Sequence, residues 1–268
     1  MEELHSPPWA RFGETDLRLD APVVRPASRG IGRSLFSWGF VIALIVGAGN
    51  GVGLRSSWGS AIGWVGASYT DPRGFTYLRT QRYDRNTPVG YDPCQRIDVV
   101  INPTDGPPQA QIIVQEAVDT IAGISGLHLR VVGTTDESAV SRWASTPAVW
   151  DRSPVLVDWT TRAKYAELSD QAIGRGGSIS ATTITGKEVY VTGAVALDGP
   201  YLRAALLRPN GRHVVRMVVM HELGHVLGLG HIERAGEIMS YQGTPLSPGP
   251  GDRAGLQSLG QLSCGIWR

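Results

Sequence analysis

The stretch that most constrains this chain is His221–His231, which reads HELGHVLGLGH. On a helix, His221 and His225 lie four residues apart, so both imidazoles leave the same face one turn apart. Gly228 can end that helix, because glycine adopts the positive φ that turns a chain back. The turn brings His231 towards the other two histidines. Three imidazole ligands leave the fourth position of a tetrahedral zinc ion open to water, which is the arrangement of catalytic zinc sites.

Two further residues agree with this interpretation. Glu222 follows the first histidine and can reach a water on the metal without binding the metal itself. Met239 follows His231 by eight residues. The pattern H-E-x-x-H-x-x-G-x-x-H with a methionine after it resembles the metzincin zinc endopeptidases, and within them the matrixin-like catalytic domains of bacterial proteins. The resemblance is strongest over residues 93–268 and absent from residues 1–90.

The resemblance implies an α+β fold of the metzincin type. Its parts are a twisted mixed sheet of about five strands with an antiparallel edge strand, a backing helix, an active-site helix and a C-terminal helix. It also implies a site in which His221, His225 and His231 bind one zinc ion. Glu222 then activates water, and Met239 lies in a turn beneath the metal. Calcium is frequent in relatives, but no clear Asp-rich loop supports a calcium site in this chain.

Tyr241 departs from the matrixin pattern. It follows Met239 by two residues, the offset at which astacin-like and serralysin-like metzincins carry a tyrosine near the metal. Such a tyrosine can stabilise the oxyanion of the transition state. Tyr241 is therefore either an auxiliary catalytic residue or an ordinary packing residue, and the sequence leaves both interpretations open.

The pattern of apolar residues predicts a parallel strand pair before the motif. Ile97–Ile101 is a short apolar strand, and Gln109–Ile124 has its apolar residues at the spacing of an amphipathic helix. Leu127–Val132 returns as a strand, and the order of strand, helix and strand indicates a parallel pair. Val155–Trp159 is a further buried strand. The polar segment 134–153 between them is expected to be irregular.

A hairpin and two helices are predicted around the motif. Gly176–Thr185 and Glu188–Leu197 are β-rich runs joined by a Gly-Lys turn, and the first is the better candidate for the edge strand. The active-site helix is expected to begin near Asn210 as its N-cap. Its valines are poor helix formers, so burial must hold it. A final helix is expected over Asp252–Leu262, capped by Asp252.

The N-terminal part of the chain predicts a membrane segment. Ser34–Leu54 runs 21 residues without a charge, long enough for a helix to cross a hydrocarbon core of about 30 Å. Arginines before it favour a cytoplasmic N-terminus. The alternative is a cleaved signal peptide with Leu35–Val46 as its apolar core, which would give a secreted protein. The expected organisation is a disordered cytoplasmic tail over 1–33, a transmembrane anchor over 34–54, an extracytoplasmic linker over 55–93 and a catalytic domain over 94–268.

The chain has two cysteines, Cys94 and Cys264. An even pair in an exported domain favours a disulfide. Matrixin proenzymes instead block their zinc with a prosegment cysteine, but the residues around Cys94 do not match that motif. We therefore expect a disulfide.

The expected function is zinc-dependent hydrolysis of peptide bonds, with a protein or peptide as substrate. A net charge of +1 gives no bias towards nucleic acid, and we expect a monomer. The alternative from another class is a membrane-tethered, zinc-stabilised binding module without catalysis. Glu222 argues against that alternative, because a purely structural zinc site has no use for a general base.

Overall fold

The computed structural model describes residues 70–145, 152–169, 172–240 and 245–265. The predicted membrane segment Ser34–Leu54 and the tail before it lie outside these ranges. No helix within the described ranges is long and apolar enough to cross a membrane.

The described residues form ten strands and five helices. The strands are β1 (Thr70–Asp71), β2 (Phe75–Tyr77), β3 (Thr80–Gln81), β4 (Asp84–Pro88), β5 (Arg96–Asn102), β6 (His128–Thr134), β7 (Val155–Thr160), β8 (Gly174–Thr182), β9 (Glu188–Asp198) and β10 (Leu229–Gly230). The helices are α1 (Ala110–Ser125), α2 (Ala139–Ala144), α3 (Gly199–Ala205), α4 (Gly211–Leu227) and α5 (Pro250–Gly260).

The central sheet has five strands in the order β6-β5-β7-β9-β8. The pairs β5–β6, β5–β7 and β7–β9 are parallel, whereas β8 runs antiparallel to β9 at the edge. The turn between β8 and β9 contains Gly186 at φ +83°, as a tight hairpin requires. The predicted mixed α+β sheet, its parallel pair and its antiparallel edge strand are therefore confirmed.

Helices α1 and α4 pack together on one face of this sheet. The buried side of α1 carries Ile113, Ala117 and Ile121, all with no exposed surface. In α4, Val215 and Val219 are equally buried. Valine loses side-chain freedom in a helix, so tertiary packing holds α4, as the sequence predicts.

The beginnings of two predicted helices agree with expectation only in part. Asn210 is the N-cap residue of α4, as predicted, but it adopts a left-handed conformation at φ 60° and its side chain makes no capping hydrogen bond. Asp252 lies inside α5, whose N-cap is Gly249. From that position its carboxylate accepts the Gly249 N–H at 2.8 Å. The segment 134–153 also differs, because it contains α2, whose N-cap Ser138 accepts the Ser141 N–H.

Residues 70–93 contain four strands, whereas the sequence predicts a linker over 55–93. The β1–β2 hairpin forms a three-stranded sheet with β10, and β3–β4 is a second hairpin. Gln81 in β3 bonds to β9 through both the N–H and the C=O of Glu188, at 2.9 and 2.7 Å. Gly90 accepts the Tyr190 N–H at 3.0 Å. The linker prediction is thus wrong from Thr70 onward, because this segment supplies strands and buried side chains to the domain.

The predicted disulfide joins Cys94 to Cys264 across a sequence separation of 170 residues. Asp92 supports both ends, because its carboxylate accepts the N–H of Cys94 at 3.0 Å and that of Gly265 at 3.2 Å. The bond therefore ties the segment before β5 to the segment after α5. Closing a loop of this length is expected to stabilise the folded state by several kcal/mol, roughly 2–5.

Glycine allows β8 to approach α4 closely. A Cβ added to Gly176 would lie 2.2 Å from the backbone oxygen of Glu222, whereas one added to Gly177 would meet no atom within 4 Å. The backbone of a helix cannot rotate away as a side chain can. The absence of a Cβ at position 176 therefore sets how near the edge strand lies to the helix that carries the motif.

Replacing Gly176 and Gly177 in turn should distinguish two effects on stability: crowding between β8 and α4, and the loss of a flexible glycine. Gly176→Ala must push β8 away from α4 and should lower the free energy of unfolding by about 1–3 kcal/mol, the usual cost of overpacking. Gly177→Ala is the matched control and should leave stability unchanged or raise it by about 0.4–1 kcal/mol. Denaturant unfolding of both variants measures the difference, and equal stability of the two would contradict this packing.

Candidate active site

The structure brings the three predicted ligands together. His221 and His225 extend from adjacent turns of α4, and His231 follows β10. The Nε2 atom of His221 lies 3.2 Å from that of His225 and 3.1 Å from that of His231, and the remaining pair is 3.0 Å apart. Three ring nitrogens therefore converge on one point.

Backbone carbonyls fix which nitrogen carries the proton in two of these rings. Nδ1 of His221 donates to the Ile238 carbonyl at 2.5 Å, and Nδ1 of His225 donates to the Leu229 carbonyl at 2.9 Å. In a neutral imidazole the other nitrogen then carries a lone pair. The Nε2 atoms of His221 and His225 thus face each other as two acceptors, an arrangement that a cation between them would satisfy.

The spacing of these nitrogens fits a metal ion. Zinc binds imidazole nitrogen at about 2.0–2.1 Å, and two such ligands in a tetrahedral arrangement stand roughly 3.3 Å apart. The observed 3.0 to 3.2 Å is close to that value. The backbone hydrogen bonds to Nδ1 are also the outer contacts that orient metal-binding histidines in proteins.

Burial keeps the histidines in the form that binds metal. It lowers the pKa of His221 and takes the pKa of His225 well below its ordinary value, because both rings have lost most of their water. Burial, His221 and the positive charge of Arg175 lower the pKa of His231 to about 3. All three rings are therefore neutral at pH 7, as a divalent cation requires.

Glu222 is buried beside the histidines, with 7% of its surface exposed. Burial raises the pKa of its carboxyl to about 8, while the positive charge of Arg175 and the backbone N–H of Gly176 act in the opposite direction. Gly174 in β8 leaves room for the side chain, since a Cβ there would lie 2.6 Å from Glu222 Oε1. The carboxyl group is consequently held between α4 and the edge strand.

Met239 packs under the helix turn between the first two histidines. It is 2% exposed, and a Cβ on Gly224 would lie 2.6 Å from its sulfur atom. The Asp252 carboxylate holds this turn by accepting the N–H of Ile238 at 2.6 Å and that of Met239 at 3.2 Å. The Ile238 carbonyl also accepts the hydrogen bond from His221 Nδ1. Asp252 and His221 therefore bond to the backbone of the same residue.

Other predicted site residues have different outcomes. Tyr241 lies outside the described residues, so its role stays a prediction. Within the described ranges, the other close group of three possible ligands is Asp92, Cys94 and Cys264, and its two sulfurs are joined to each other.

Two contributors to the site are not predicted from the sequence. One is Asp252, which the pattern presented only as a helix cap. The other is Thr76 in β2, whose hydroxyl donates to the backbone oxygen of His231 at 2.8 Å. The aromatic and β-branched run Phe75–Tyr77 is typical of a strand. That pattern could have predicted the strand that carries Thr76.

Comparison with known proteins gives a family match over the same region. Residues 157–259 match the family model described as Matrixin. A search of curated proteins gave no significant match.

Solved structures that resemble the chain include the archaemetzincin AmzA from Methanopyrus kandleri. It has 16% identity and a TM-score of 0.39, covering 61% of this chain and 95% of that chain. Another is metalloproteinase-II from Bacteroides fragilis, with 13% identity and a TM-score of 0.32, covering 68% of this chain and 54% of that one.

The family match extends from β7 to α5 and so includes the three histidines, Glu222 and Met239. Residues 157–259 are therefore similar to the Matrixin family, which is consistent with a metzincin-like domain.

Proposed function

We propose that this domain is a zinc-dependent endopeptidase in which His221, His225 and His231 bind the metal and Glu222 is the general base. The observation that carries the proposal is the convergence of three imidazole Nε2 atoms within 3.2 Å of one another. Two of these rings have their protons fixed on the opposite nitrogen. A bound divalent cation would satisfy all three nitrogens at once, and the family match supports a metallopeptidase.

The metal and the chain contribute different parts of the chemistry. When bound, zinc lowers the pKa of a water ligand towards ~7 and polarises the carbonyl of the scissile bond. Glu222 accepts the proton that the attacking water loses and passes it to the leaving amine. Its carboxyl group is held between α4 and the edge strand beside the histidines, which is the position that both transfers require.

The edge strand supports a peptide substrate. Within the described residues, β8 pairs with β9 on one side, and its other side is the edge of the sheet. An extended peptide can add to such an edge through its backbone, which positions it without requiring a particular sequence. Because Glu222 lies against β8 at Gly174, a peptide on this edge would pass beside the general base.

The disulfide supports a location for the domain outside the cytoplasm, because disulfides form and persist in oxidising compartments. We propose that Ser34–Leu54 directs this export, as an uncleaved anchor or as a signal peptide. Carbonate washing of membranes distinguishes the two, because the anchored chain stays in the membrane fraction and a secreted fragment does not.

Two substitutions should separate metal binding from catalysis. His225→Ala removes one of three ligands and should abolish stoichiometric zinc binding. Glu222→Gln removes the base but no ligand, so it should keep about one zinc per chain and lose 10²–10⁴-fold in the rate of peptide cleavage. Metal analysis and cleavage of peptides blocked at both ends measure the two effects.

Glu233→Gln is the matched control, because Glu233 is an exposed carboxylate two residues after His231. It should retain both zinc and activity. Equal cleavage by wild type and Glu222→Gln would contradict the role of Glu222. Cleavage by neither protein, across a broad set of blocked peptides, would favour the binding module.

The raised pKa of Glu222 predicts how the stability of the metal-free protein depends on pH. An unfolded glutamate ionises near 4.5, whereas burial raises the folded pKa to about 8. Between these values the folded state holds a proton that the unfolded state has lost. The contribution of Glu222 to the free energy of unfolding should therefore fall as pH rises towards 8.

The histidines act in the opposite direction. Their pKa values are lowered from 6.5 on folding, so near pH 6.5 the unfolded histidines still bind protons and stability rises with pH, an effect that fades towards pH 8. Wild type and Glu222→Gln share these histidines, so the histidine contribution cancels from the difference between the two proteins. Urea unfolding of both chelator-treated proteins should show that the free energy of unfolding of wild type, minus that of Glu222→Gln, falls as pH rises from about 6 to 8. A constant difference over this range would show that Glu222 is not the group responsible.

A further inference from the structure

The short strand β10 controls the position of two of the three histidines. Its Leu229 carbonyl accepts the Nδ1 proton of His225 at 2.9 Å. Its other residue, Gly230, directly precedes His231. A shift of this strand would therefore move one ligand itself and the hydrogen-bond acceptor that orients another.

The strand β2 holds β10 in place. It pairs antiparallel with β10, with Thr76 opposite Gly230 and Tyr77 opposite Leu229. Hydrogen bonds extend the contact on both sides of this pair. Leu78 donates its N–H to the Gly228 carbonyl at 2.7 Å, and the Thr76 hydroxyl donates to the His231 carbonyl at 2.8 Å. Every residue from Gly228 to His231 is thus tied to the N-terminal segment.

The strand β2 is itself anchored to the C-terminal helix. Phe75 and Tyr77 are 3% and 5% exposed, and the Tyr77 hydroxyl lies 2.5 Å from the Ser258 hydroxyl in α5. A Cβ on Gly255 of α5 would lie 3.0 Å from the ring of Phe75. The hairpin is consequently packed between β10 and α5, where it cannot move independently of them.

We propose that the β1–β2 hairpin, Thr70–Tyr77, is part of the metal site and that Thr76 is a positioning residue for His231. This inference rests on the proposed zinc site and assigns it a component outside the motif. Thr76 is 4% exposed, so removing its hydroxyl takes away a buried donor to the His231 carbonyl and weakens the attachment of the third ligand to β2. The chain from Thr70 to the first cysteine is then not a removable prosegment. Cleavage there would weaken metal binding instead of exposing the metal.

The experiment compares two substitutions of Thr76 in the full chain. Thr76→Val keeps the shape of the side chain and removes the donor, whereas Thr76→Ser keeps the donor. Loss of an outer contact to a metal ligand typically weakens metal binding 10–100-fold, and we expect about 10-fold for the valine variant and less than about twofold for the serine variant. Competition for zinc with a chromophoric chelator measures both affinities without reference to activity. Thr76→Ala serves in place of the valine variant if that variant does not fold.

Thr120→Val provides the control for general destabilisation. It also removes a threonine hydroxyl that donates to a backbone carbonyl, that of Glu116 at 2.7 Å within α1, but it leaves β2 and β10 unchanged, so its zinc affinity should equal that of wild type. Equal weakening by Thr120→Val and Thr76→Val would overturn the positioning role, as would wild-type affinity in Thr76→Val or equal weakening in Thr76→Ser. Wild-type protein that binds no zinc would refute the proposed function itself and would be recognised before any variant is compared.

Discussion

Two hydrogen bonds from imidazole Nδ1 atoms to backbone carbonyls determine the chemistry of this site. They place the protons of His221 and His225 away from the centre, so that two lone pairs face each other at 3.2 Å. The carbonyls belong to Ile238 and Leu229, on two different segments that follow α4. The rest of the fold must therefore hold two loops against one helix to within the tolerance of a hydrogen bond.

Several unrelated parts of the structure meet this requirement. Burial of valines fixes α4 on the sheet, and Met239 fills the space left by Gly224. Asp252 fixes the loop that carries Ile238. On the other side, β2 fixes the strand that carries Leu229. The same burial makes the charged forms of the histidines unfavourable and raises the pKa of Glu222. Burial thus explains both why the histidines are neutral and why the pKa of the Glu222 carboxyl is raised.

The sequence predicted those parts of the site that depend on local spacing. The four-residue interval of His221 and His225 places both on one helix face, and the φ of +122° at Gly228 confirms the expected turn. The edge strand followed from its turn residues. The contributions of Thr76 and Asp252 could not be predicted in the same way, because each contacts a residue distant in sequence. Their partners follow from how β2 and α5 pack on the loops, and packing of this kind leaves no periodic signal along the chain.

The coordination of the metal in the zinc-loaded full chain tests the central claim most directly. X-ray absorption at the zinc edge reports the number and type of ligand atoms. The structure predicts three imidazole nitrogens and one oxygen at about 2.0–2.1 Å, with the oxygen lost or exchanged when a small chelating inhibitor is added. A shell with two or four imidazoles, or with sulfur, would contradict a site built from His221, His225 and His231 with one open position.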